Sequence, residues 1–162
     1  MLYLLFHLDA DRYAFPARDV KEVLPLVSTK ALPGAPAGIV GAVNFRGMAV
    51  PVLDLAQLAL GRPSARRVST RLLIVNYPHP DGRHCLLGVT VERATEMISR
   101  DPAEFRPVGV ATAGARYLGP VIQDAGGMIQ RIEIAELLTA ELREALFPEA
   151  VAGAPVPAGK TP

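Results

Sequence analysis

The side chains able to do chemistry are few. Three histidines, His7, His79 and His84, and one cysteine, Cys85, are the imidazoles and thiol of the chain. Nucleophilic catalysis needs a Ser, Cys or Thr beside a base that a third group orients. His7 falls inside an alternating apolar run and His79 beside a Pro-Asp-Gly turn, so both read as structural or solvated. His84-Cys85 is an adjacent pair of soft ligands, but with His79 it supplies at most three donors from one hairpin and matches none of the usual zinc spacings. A small enzyme using His79, His84 and Cys85 is thus disfavoured, and Cys85 reads as a small core residue. Asp9 and Asp11 flank a turn, where Asp hydrogen-bonds its own backbone, and do not suggest an acid–base dyad. Gly126-Gly127 lacks the following Lys-Ser/Thr of a phosphate loop. The expectation is no catalysis, no cofactor and no metal.

One segment, Gly41 to Leu55, stands out. Two apolar runs enclose a turn carrying Asn44, Arg46 and Gly47, which would hold a guanidinium on a tight support. On pattern alone, a solvated hairpin arginine and a binding surface both remain open.

The elements that position this turn are short runs of Val, Ile, Leu, Phe and Tyr closed by Gly, Pro, Asn or Asp, the pattern of an all-β barrel or sandwich. Strands are expected at 2–8, 12–16, 20–26, 41–45, 48–53, 71–77, 84–91, 94–99, 117–124 and 128–132. Pro80-Asp81-Gly82 and Ala125-Gly126-Gly127 predict hairpins. Leu32-Pro33-Gly34-Ala35-Pro36 predicts a rigid connector. Pro51 lacks a ladder donor, which places it at an edge or bulge. From Glu133 to Phe147 apolar residues recur at helical spacing, predicting one amphipathic helix. The Pro-rich segment 149–162 has the composition of a disordered tail.

A weak repeat organises these elements. Gly41 and Val43 match Gly119 and Val121 at an offset of 78, and after one inserted residue Gly47, Asp54, Ala56 and Leu58 match Gly126, Glu133, Ala135 and Leu137. Two related β subdomains follow, about 1–64 and 65–148, each too small to be comfortable alone and so packed together around a groove. Composition agrees: among 162 residues half are apolar and Trp is absent, so the core rests on Leu, Val, Ile and Ala. A net charge of +1 without a basic stripe argues against nucleic acid. The start lacks a signal-peptide pattern, and 48–60 is too short and interrupted to span a bilayer, which predicts a cytoplasmic protein without membrane insertion.

The stretch from Leu32-Pro33-Gly34-Ala35-Pro36 to Leu55 resembles the CheW-like chemotaxis coupling family, whose members read approximately LPxxP, then GxxNxRGxxxPVxDL. Phe6-x-Leu8, Tyr13 to Pro16, Val20 to Val23, Leu87 to Glu92 and Gly119 to Leu138 follow the family outline, so the likeness spans about 2–147. It implies two SH3-like five-stranded barrels, whose terminal strands may exchange, forming a scaffold between a chemoreceptor's helical tip and the CheW-like regulatory domain of a CheA-type histidine kinase. Carried over residue by residue, it implies partner-binding roles for Glu22, Val43, Asn44, Arg46, Gly47, Pro51 and Asp54, with Glu22 and Arg46 paired across the barrel. Ala56 stands where many relatives carry a basic residue, and Glu92 and Glu133 replace the usual Asp. The chain looks somewhat like adaptors of surface-sensing (Wsp-type) pathways. An SH3-like module for peptide or nucleic acid, unrelated to a kinase, is the alternative.

Overall fold

Alternating side chains set the architecture, because both faces of several strands are buried. In β1 (Leu2–Leu8), Tyr3 and Leu5 enter one core while Leu4, Phe6 and Leu8 enter another. In β6 (Arg71–Pro78), Leu72 and Ile74 enter a third core, while Leu73, Val75 and Tyr77 join Leu4 and Phe6. The computed structural model describes residues 1–109 and 113–148; the expected tail lies outside them. The remaining strands are β2 (Asp11–Pro16), β3 (Val20–Pro25), β4 (Ile39–Phe45), β5 (Met48–Asp54), β7 (His84–Ser99), β8 (Leu118–Asp124) and β9 (Gly127–Ile132), with helices α1 (Leu55–Leu60) and α2 (Ala140–Leu146).

The strands divide into two five-stranded sets, matching two SH3-like subdomains. One holds β3, β4, β5, β6 and the first part of β7; the other holds β1, β2, the end of β7, β8 and β9. Each half of the sequence therefore contributes its first hairpin to the set built by the other half. The strands expected at 84–91 and 94–99 are one 16-residue strand. It continues through a bend at Arg93, a non-glycine residue at φ 51, and so serves both sets.

Helical structure differs from expectation in two places. Leu55–Leu60 forms a short helix that was not expected; Asp54 caps its start and Gly61, at φ 74, ends it in the left-handed region. The expected single helix over 133–147 is divided into a 3-10 turn at Ile134–Glu136 and α2. Thr139 causes the division: its extended backbone (ψ 164) interrupts the helix, and its Oγ1 accepts the Leu142 N–H at 3.1 Å. The apolar face is buried all the same, with Ile134, Leu137, Leu138 and Leu142 in the shared core.

Candidate functional site

The β4–β5 hairpin closes with Phe45 opposite Met48, leaving Arg46 and Gly47 as a two-residue turn. Both have positive φ, 53 and 84, the twist of a type I′ turn that matches the strands. Asn44 Oδ1 accepts the Gly47 N–H at 2.8 Å and fixes the turn from one side. Arg46 Nη2 donates to Glu22 Oε1 at 2.6 Å, and its guanidinium carbon lies 4.8 Å from the Phe45 ring centroid. Glu22 belongs to β3, which pairs with β6 and has no ladder to β4, so the ion pair ties two strands that hydrogen bonds leave apart. The Arg46 side chain is still 66% exposed. An exposed pair contributes about 0–1 kcal/mol, so its effect is to aim the guanidinium more than to stabilise the fold.

Glu22, Asn44, Arg46 and Gly47 thus meet at one tip, and Pro51 lies partly exposed farther along the hairpin. Val43 and Asp54 do not share that surface. Val43 faces inward among Phe45, Val50, Val52, Leu72 and Ile74. Asp54 is 5% exposed: its Oδ1 accepts from the Ala56 N–H at 3.1 Å and from Ser64 Oγ at 2.5 Å, and its Oδ2 from the Ser64 N–H at 2.8 Å. Both side chains are buried in the chain itself, Val43 within a core and Asp54 against α1 and the connector that follows it. Pro51 also differs from expectation, since β5 lies between β4 and β7. It is tolerated because the β7 ladder begins only at Val52, and alternation from the closing Phe45–Met48 pair puts Pro51 at a non-hydrogen-bonded position opposite Ala42.

A second clamp, which sequence reasoning missed, sits on the repeat-related hairpin β8–β9. Arg12 Nη2 donates to Asp124 Oδ1 at 2.5 Å and to the Gly127 carbonyl at 3.0 Å. The Arg12 hydrogen bond holds the Asp124 carboxyl below its ordinary range. The correspondence of Gly47 with Gly126 was the available signal. Of the remaining candidates, His79 is buried inside its turn and accepts the Asp81 N–H at Nδ1, and Cys85 packs half-buried against the shared core. A cleft of about 730 Å³ near the junction of the sets is lined by Asp19, Asn76, His84, Glu133 and Glu136 among others; none of the seven expected partner residues lines it. Burial pushes the Asp19 carboxyl up. No helix among the described residues is long and apolar enough to cross a membrane.

Paired five-stranded sets with exchanged hairpins and clamped tips define a two-barrel β module of the SH3-like kind. The chain belongs to the CheW-like domain family, whose model matches residues 2–142. It is 24% identical over 149 residues to a chemotaxis protein CheW of Bacillus subtilis, spanning 90% of this chain and 92% of that one. The Klebsiella aerogenes chemotaxis protein CheW is 23% identical over 141 residues, covering 86% and 82%. Among solved structures, the scaffolding protein TtCheW of Thermoanaerobacter tengcongensis superimposes with a TM-score of 0.74 at 25% identity, covering 87% of this chain and 89% of that chain. The family supports a non-catalytic chemotaxis coupling adaptor.

Proposed function

We propose that this adaptor joins the cytoplasmic tip of a chemoreceptor to a CheA-type histidine kinase, docking on the kinase through the β4–β5 hairpin. The observation that carries the reading is Arg46: a left-handed turn, a carboxylate from another strand and an aromatic face together aim an exposed guanidinium outward. Arginines of this kind, already ordered before contact, are common energetic anchors of interfaces. Around it Glu22, Asn44, Gly47 and Pro51 form the contact surface, while Val43 and Asp54 support it. The protein would act in the cytoplasm at membrane-associated receptor clusters.

The test is co-purification of the folded chain with the kinase and receptor encoded beside it. Capture of both is expected, and the receptor retained shows whether the surface-sensing likeness holds. Arg46→Ala should weaken kinase capture about tenfold or more, the loss of roughly 1.4 kcal/mol, with an almost unchanged melting temperature. Capture of neither partner by folded protein would sink the adaptor role. Unchanged kinase capture by Arg46→Ala would remove the hairpin from the interface.

A further inference from the structure

A cavity of about 450 Å³ lies between the 61–69 connector and the bend of β7, lined in part by Asp9, Arg62, Arg67, Ser69, Glu92 and Arg93. Three arginines and two acidic residues are among its lining, which therefore carries one net positive charge. Both carboxylates are already engaged: Arg62 donates to Asp9 Oδ1 at 2.8 Å and to Glu92 at 2.8 and 3.0 Å, and the Ala65 N–H adds a 2.6 Å bond to Glu92. Among the described residues, Arg67 and Arg93 make no ion pair. Arg67 acts on Glu92 only through space, so neither guanidinium is held by a carboxylate of the described residues.

The backbone supports the same reading. Three non-glycine residues among those described have positive φ: Asp9, Arg46 and Arg93. Arg46 heads the hairpin, and the other two line this one cavity. A long side chain gains nothing from the left-handed region and bears a conformational cost there. Glycine would bend β7 without that cost, so an arginine at the bend points to a use for its guanidinium.

We propose that this cavity binds a phosphate-type dianion, held by Arg67 and Arg93 with the Ser69 hydroxyl as a further donor, over a floor fixed by Arg62, Asp9 and Glu92. Two guanidiniums and a hydroxyl fit a tetrahedral oxyanion, whose several acceptor oxygens take charge-assisted hydrogen bonds from different directions. The proposal is independent of the adaptor reading, because it concerns a face to which none of the hairpin residues contributes.

The test is a nitrogen-15 NMR titration of the full chain with inorganic phosphate, with chloride at matched ionic strength to account for screening. Saturable shifts at the amides of Ser69, Thr70 and Arg93 are expected with phosphate and not with chloride. Arg67→Gln and Arg93→Gly should each weaken binding about tenfold, and Arg46→Ala should leave it unchanged. Arg93→Gly also separates binding from folding: glycine suits φ 51, so its melting temperature should not fall while its affinity does. Shifts that follow ionic strength alone, or cavity variants that bind phosphate as tightly as the unaltered chain, would overturn the proposal.

Discussion

Replacing Asp54 by alanine distinguishes a residue that holds the hairpin from one that meets a partner. Its carboxylate begins α1 and, through Ser64, pins the connector that follows the helix. Loss of a helix N-cap costs about 1 kcal/mol. A hydrogen bond to a charged acceptor contributes about 1.5–3 kcal/mol, and two such bonds come from Ser64, which is only partly buried and can recover some solvation. The total is about 3–4 kcal/mol, a large share of the roughly 5–15 kcal/mol that keeps a domain folded. In urea denaturation, with a slope of about 2 kcal/mol/M, the midpoint should fall by about 1.5–2 M at unchanged slope. Asp54→Asn keeps one acceptor for the cap but sets an amide against the Ser64 N–H, and should lose about half as much. A midpoint shift under about 0.5 M, or lost kinase capture at unchanged stability, would refute this reasoning and return Asp54 to the contact surface.

The other consequences also concern stability. Glu92 has a carboxyl held below its ordinary range, chiefly by the Arg62 hydrogen bond. Its stabilisation should be complete above the ordinary carboxylate range near pH 4 and vanish as pH falls through the lowered value, so Glu92→Gln should flatten the acid limb of a thermal-melt series. Asp19 has the opposite sign: its folded value is raised by burial, so its favourable contribution is lost as pH rises, and Asp19→Asn should raise the melting temperature at pH 7 and leave it nearly unchanged in acid. Gly41→Ala would place a Cβ 2.3 Å from the Lys30 carbonyl, where the Lys30 and Ala42 backbones exchange two 2.8 Å hydrogen bonds. It should cost more than about 2 kcal/mol in urea. Gly47→Ala, with open space around it at φ 84, should cost only the left-handed strain of about 1 kcal/mol.

Strands were legible because their determinants are local. Alternation and turn residues place Leu2–Leu8 as expected and the other strands within about two residues, for the same reason that a slip of one residue would turn a core face outward. The Arg46 turn was legible as a turn, and its pairing with Glu22 followed from family likeness. Helix α1 was missed because six residues give too short a window for helical period, although Asp54 and Gly61 stand where start and stop signals belong. Thr139 was hidden within an apolar period that continues on both sides of it. The bend at Arg93 reads locally as a strand break, and only the continuous pairing of β7 with β6 and then β1 shows otherwise. Exchange of the first hairpins is likewise a non-local fact: the repeat announces two related units but does not say which strands each will pair with.

That exchange bears on what an adaptor requires. Among the described residues, the largest apolar cluster holds twenty-one buried residues and draws on β1, β5, β6, β7 and the segment after β9. Each set has, among the described residues, six buried residues in a cluster of its own. Neither set encloses enough apolar surface to fold well alone, so the shared cluster must order both together. A close-packed interior has few alternative arrangements, so this cluster also fixes the angle between the two sets, with β7 crossing from one to the other. The clamped tips at Arg46 and Arg12 are then two fixed points on one rigid body. An adaptor needs that rigidity more than it needs strong ion pairs, and the apolar core supplies it while the exposed Glu22–Arg46 pair contributes little to stability.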